Sequence, residues 1–142
     1  MALSFASIRS GIAAKIAALS GFKESMQTPD YFGRTQESIA HKGFTVGMLS
    51  ATGQYERQRR AVGVYVSSQI QITFAYRLRP LDIYPTDYDL ALSSEESVIN
   101  AALEAYATNN RFTLRYNGSS RTVPDSQEYI IITIDLTALH TI

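Results

Sequence analysis

From Ala61 to Arg79 the chain alternates between apolar and polar positions. Val62, Val64, Val66, Ile70, Ile72, Phe74, Tyr76 and Leu78 share one parity, with Ser68 as the single polar interruption. The other parity carries Ala61, Gly63, Tyr65, Ser67, Gln69, Gln71, Thr73, Ala75, Arg77 and Arg79. A period of two belongs to a β-strand with one buried face, and a slip of one residue would turn the whole apolar row outward. Such a stretch extends to about 60 Å, whereas a compact chain of this size has a radius of gyration of about 14 to 15 Å. The pattern therefore predicts one long bent strand, or two nearly continuous ones broken near Ser67 and Ser68, with a subunit contact along it. A tight hairpin at that point lacks a Gly or Asn turn signal.

Ile8, Ile12, Ile16 and Leu19 recur at helical spacing, with Leu3 and Phe5 extending the stripe and Arg9 and Lys15 off it. They predict an amphipathic helix over residues 3–20, stopped by Gly21. Its polar face has too few charges for a membrane-surface helix. Residues 22–43 read as irregular. Within them Thr28-Pro29-Asp30 has the form of an N-cap with proline at the first helical position, so a short turn carries Tyr31 and Phe32 as core plugs or as a partner anchor. Phe44, Val46 and Met48 alternate, predicting a strand over residues 43–50, and Ala51–Arg60 is a polar connection too long for a tight turn.

Pro80 breaks the long strand, and Leu81–Leu92 reads as a connection holding Asp82, Pro85, Asp87 and Asp89. Ser93-x-x-Glu96 is a capping box. It predicts a second helix running to about Ala107, with Val98, Ile99, Ala102, Leu103 and Tyr106 facing inward. Phe112, Leu114 and Tyr116 alternate up to Asn117-Gly118, a turn signal, and Tyr129–Leu136 is apolar on both parities, as a central strand should be. Asn117-Gly118-Ser119 also matches a glycosylation acceptor, but without a secretion signal the turn is the better account.

At 142 residues and 45% hydrophobic, the chain can bury one core and reads as a soluble single domain. It has no cysteine, which excludes disulfides and thiolate metal sites and fits a reducing compartment. Arg9 and Lys15 interrupt the mildly apolar N-terminus before a signal-peptide core or membrane span forms. Net charge is zero, yet the charges are segregated. Residues 56–79 hold Arg57, Arg59, Arg60, Arg77 and Arg79 against Glu56 alone, while residues 80–110 hold Asp82, Asp87, Asp89, Glu95, Glu96 and Glu104 with no Lys or Arg. That asymmetry suits either a solvated surface or the meeting of one copy's basic edge with the next copy's acidic edge.

No catalytic or cofactor-binding constellation emerges. The histidines are His41 and His140, no serine sits in a nucleophile elbow, and phosphate-cradling glycine loops are absent. Asp87-x-Asp89 lacks the third carboxylate and the glycine of a calcium loop, so aspartates there read as turn formers and no metal is expected. Three clustered arginines in a neutral protein are too narrow a footprint for a nucleic-acid module.

The N-terminal helix, Tyr31-Phe32-Gly33-Arg34, His41-Lys42-Gly43-Phe44-Thr45-Val46, the Arg57–Arg60 cluster, Tyr76-Arg77-Leu78-Arg79-Pro80-Leu81-Asp82, and Tyr88-Asp89-Leu90-Ala91-Leu92 before Glu95-Glu96 form an ordered pattern. Over nearly its whole length the chain resembles the small tail-terminator, or tail-completion, proteins of long-tailed bacteriophages. The resemblance implies an α+β fold in one domain over residues 1–142. Its mixed or antiparallel sheet would be flanked by helices, in the order α-β-β-β-α-β-β. It also implies a non-enzymatic virion protein, made in the host cytoplasm and placed in the tail neck. There a hexameric ring caps the tail tube protein, ends tail growth and meets the head-completion or connector protein, with DNA passing through its lumen. A head–tail connector or stopper of the same neck region, a nucleic-acid-binding module and a small enzyme are the alternatives. On the terminator reading Arg57, Arg59, Arg60, Arg77 and Arg79 face partners or the next subunit, Asp82, Asp87 and Asp89 supply part of the opposing patch, and Tyr31 and Phe32 are candidate anchors. A closed ring needs two such different patches on each subunit.

Overall fold

A computed structural model describes residues 3–25, 41–53, 65–78, 84–107, 112–123 and 129–142. The alternating stretch forms β3, Tyr65–Arg77, whose residues Val66, Ser68, Ile70, Ile72, Phe74 and Tyr76 are buried as their parity requires. It is flanked on one side by β2, Gly43–Gly53, and on the other by β5, Tyr129–Thr141. β4, Thr113–Thr122, lies beyond β5, and a two-residue strand β1, Lys23–Glu24, runs parallel to the start of β2. The sheet order is β1-β2-β3-β5-β4, antiparallel apart from the β1–β2 pair. The protein is thus a single α+β domain with a mixed five-stranded sheet and two helices, in the order α-β-β-β-α-β-β.

This topology leaves no edge of the long strand, over its described residues, for main-chain pairing with another subunit. All thirteen residues of β3 pair with β5, from Tyr65 opposite Thr141 to Arg77 opposite Tyr129, while β2 occupies its other edge. Its main-chain groups are spent within the sheet, and it does not overhang its neighbours. The third strand expected before the second helix is β1, which falls in a stretch read as irregular.

Helix α1, Phe5–Ala17, begins at Ser4, whose hydroxyl accepts from the Ser7 amide at 3.1 Å. Its stripe Ile8, Ile12 and Ile16 is fully buried, worth about 2 kcal/mol of transfer free energy per side chain, while Phe5 stays 37% exposed. Helix α2 runs Tyr84–Glu104 and starts nine residues before the expected Ser93. Pro85 lies in its first turn, where a missing amide costs nothing, and Ser93 is an interior residue whose carbonyl accepts from Ser97. Its buried residues are Asp87, Ala91, Glu95, Val98, Ala101 and Ala102, and Ala105 continues the stripe just past the helix end. Two carboxylates stand on it, which is why apolar periodicity did not reveal the first half of the helix.

Both helices share one core with Phe44, Val46, Ile70, Ile72, Phe74, Ile130, Ile132, Ile134 and Leu136, so they cover the same face of the sheet. The other face presents Gln69, Gln71 and Thr73 on β3 beside Thr133, Asp135 and Thr137 on β5. Asn117-Gly118 is not a turn: β4 continues through it, with an irregular register between Tyr116 and Gly118. Gly118 has φ 156° and no side chain to clash, so the pair makes a bulge inside an edge strand.

Candidate subunit interface

Arg57, Arg59, Arg60, Arg79, Asp82, Tyr31 and Phe32 lie outside the described residues. Of the remaining expected interface residues, Arg77 at the end of β3 and Asp89 on α2 are exposed. Asp87 is not a surface charge. It is 2% exposed on the inner stripe of α2, a correction that follows from the earlier start of that helix. Arg77 and Asp87 instead line one cavity of about 250 Å³ together with His41, Tyr76 and Leu90.

In that cavity the Arg77 amide donates to His41 Nδ1 at 3.0 Å, which makes Nδ1 the unprotonated nitrogen. The His41 ring meets Tyr76 edge-on at 4.6 Å. Partial desolvation, then the charges of Lys42 and Arg77, push His41 below the ordinary histidine value, with Asp87 opposing them. Lys42, at φ 59°, donates to the Ser20 carbonyl and lies over the rings of Phe22 and Tyr76. Its cation is therefore committed to its own subunit. Among the described residues no cluster of three or more His, Asp or Glu side chains is placed to hold a metal ion. No described helix is long and apolar enough to cross a membrane.

The two flanks of the sheet differ. β2 is an eleven-residue strand, Gly-Phe-Thr-Val-Gly-Met-Leu-Ser-Ala-Thr-Gly, without a charge or a proline. Among the described residues its outer edge is paired only at Gly43 and Phe44, with a further bond from the Ser25 amide to the Phe44 carbonyl. Leu49–Gly53 is exposed throughout, and Leu49 is 58% exposed. A register irregularity between Met48 and Ser50 releases Leu49 from the pairing with β3. Beside it, Phe5, Met48, Ser50 and Ala51 line a second cavity of about 270 Å³.

The opposite flank, β4, carries Arg115, Arg121 and a 40% exposed Tyr116. Arg121 donates to both oxygens of Glu95, at 2.7 and 2.8 Å, and this hydrogen bonding raises the Arg121 pKa. The pair gives the buried Glu95 carboxylate its counter-charge and ties the edge strand to α2. On the face opposite the helices Asn117 Nδ2 donates to the Thr137 hydroxyl, which donates in turn to Gln69 Oε1 at 3.3 Å, linking β4, β5 and β3.

His140, fully buried near the end of β5, joins the N-terminal segment to the sheet. A carbonyl only accepts, so Nδ1 donates to the Leu3 oxygen at 3.1 Å and Nε2 accepts from Ser68 Oγ at 2.7 Å. The Leu3 amide donates to the Thr141 carbonyl at 2.7 Å, and Phe5 meets the imidazole edge-on at 5.6 Å. Desolvation lowers the His140 pKa despite opposing backbone hydrogen bonds.

Charge patterning pointed toward arginines and aspartates, whereas the geometry draws attention to an uncharged strand. The available sign was the absence of charge in residues 43–53. No protein-family model matches this sequence, and no curated protein matches it.

Proposed function

We propose that this chain is a structural subunit of a bacteriophage tail, a terminator. It assembles as a hexameric ring on the head-proximal end of the tail tube, ends tube growth and joins the tail to the head-completion proteins. Two lines of support meet here. The order of sequence motifs resembles that family, and the α+β architecture is of the kind the resemblance implies. The observation that carries the assembly part is the outer edge of β2 beyond Phe44, which is unpaired among the described residues. Leu49–Gly53 offers main-chain donors and acceptors without charge or proline, a feature that free-standing subunits usually blunt.

Electron microscopy of lysates from a phage lacking this chain tests the reading. Overlong or headless tails beside filled, tailless heads are expected. Tails of normal length beside leaking or empty heads would move the protein to the head side of the neck as a connector. Normal infectious particles would refute both assignments.

A further inference from the structure

Resting on that ring assignment, we infer that the subunits join by main-chain pairing between the outer edge of β2 in one copy and the outer edge of β4 in the next, with Tyr116 of the incoming strand seated in the cavity lined by Phe5, Met48, Ser50 and Ala51.

Strand direction provides the first argument. Across β2, β3, β5 and β4 every neighbour is antiparallel, so β2 and β4 run in opposite directions. A second copy brought alongside by simple rotation about a ring axis therefore presents β4 antiparallel to β2, with its helices on the same side. Two different edges meeting in this way form the heterologous contact that closes rings.

Register provides the second. Met48 pairs with Ile70, Ile70 with Leu136, and Leu136 with Tyr116, so Met48 and Tyr116 end the same row across the sheet. When the row continues into the next copy without stagger, Tyr116 arrives beside Met48. The faces agree as well. Tyr116 lies opposite the core residue Leu136, and Met48 and Ala51 lie opposite Ile70 and Ser68, all on the helix-covered side. Phe5, at the start of α1, closes the same cavity, and Tyr116, Leu49 and Phe5 are three of the large apolar side chains left exposed.

Ring closure selects this pairing. Antiparallel β4 against β4, or β2 against β2, joins an edge to its own copy about a two-fold axis and gives a closed dimer in place of a ring, and β2 contains no charge to oppose Arg115 of an incoming β4.

The absence of cysteine allows a direct test. Ala51 and Leu114 end another shared row, through Ser68 and Ala138. Within one copy they stand three strand spacings apart, about 14 Å, beyond the roughly 7 Å that a disulfide spans. Mild oxidation of the full-length A51C/L114C variant should give a ladder of linked subunits on a non-reducing gel, and neither single variant should do so. Adding Y116A should weaken self-association about tenfold or more, as loss of a seated aromatic anchor does, with the subunit fold retained in circular dichroism. Dimers from A51C alone, at the rate of the double variant, would overturn the proposal in favour of β2–β2 pairing. The wild-type mass, measured in parallel by sedimentation, separates the remaining failures. A ring that gives no cross-link overturns the edge pairing and leaves the ring assignment standing; a monomer that gives no cross-link overturns both.

Discussion

Gly11→Ala tests the contact between α1 and the turn that follows α2. A Cβ at this position would stand 2.5 Å from the Tyr106 hydroxyl oxygen, 2.6 Å from its Cε2 and 2.8 Å from its Cζ. Tyr106 is anchored where it lies: its hydroxyl donates to the Ser7 carbonyl at 2.6 Å and its ring meets Phe112 edge-on at 5.5 Å. Moving the ring away loses a hydrogen bond of about 1 kcal/mol and an aromatic contact of about 1 kcal/mol, with about 1 kcal/mol more for disturbed packing. Against this, alanine in a helix interior gains about 1 kcal/mol over glycine. The net expectation is a loss of about 2 kcal/mol, or about 6 °C in melting temperature for a domain of this size. Urea and thermal unfolding of G11A, Y106A and the double variant check the figure. In the Y106A background the obstacle is gone, so G11A should become stabilising by about 1 kcal/mol, a coupling of about 3 kcal/mol between the two sites. A G11A protein as stable as wild type, or additivity of the two changes, would refute the claim that close approach requires glycine here.

The Thr45 hydroxyl is buried on β2 and has no hydrogen-bond partner among the described residues, so Thr45→Val should raise stability by about 1 kcal/mol in urea denaturation, and a loss of that size would mean the hydroxyl is satisfied. Both histidines are easier to protonate unfolded than folded, so the unfolded state binds more protons and stability should fall as pH drops below the ordinary value of 6.5 toward their lowered folded values. Over pH 7 to 5.5, above most carboxylate titration, the buried His140 carries most of this slope and the exposed His41 less, because solvent screens its charge. His140→Asn should flatten the slope, and an unchanged wild-type stability across this window would contradict the assignment. Arg121→Ala strips the buried Glu95 of its counter-charge. It should cost about 1 to 2 kcal/mol, reduced from a fully buried pair because the Arg121 side chain is 43% exposed. Urea unfolding reads this loss, and Glu95→Gln in the same background should recover part of it.

Where one face of an element was buried against a continuous core, the amino-acid order alone was enough. The alternation through Val66, Ile70, Ile72 and Phe74, the four-residue recurrence of Ile8, Ile12 and Ile16, and the two-sided apolar run of β5 predicted their strands and helix. In each case the hydrophobic effect acts on the periodicity itself. The first half of α2 was hidden because its inner stripe holds Asp87 and Glu95, and Glu95 is acceptable there through Arg121, a residue 26 positions away. The reading of Asn117-Gly118 as a turn failed because a bulge and a turn make the same local demand on the backbone, and pairing with β5 decides between them.

Of the candidate interface, the sequence held the charge segregation and the bare composition of residues 43–53. Strand order determined the rest. It enclosed the most regular strand between two neighbours and left an unremarkable one at the flank, and it turned Asp87 inward while placing Met48 and Tyr116 on one row. Local residue order specifies which face of an element seeks the core, but an edge exists only relative to the strands that do or do not lie beside it, and that is a property of the assembled sheet.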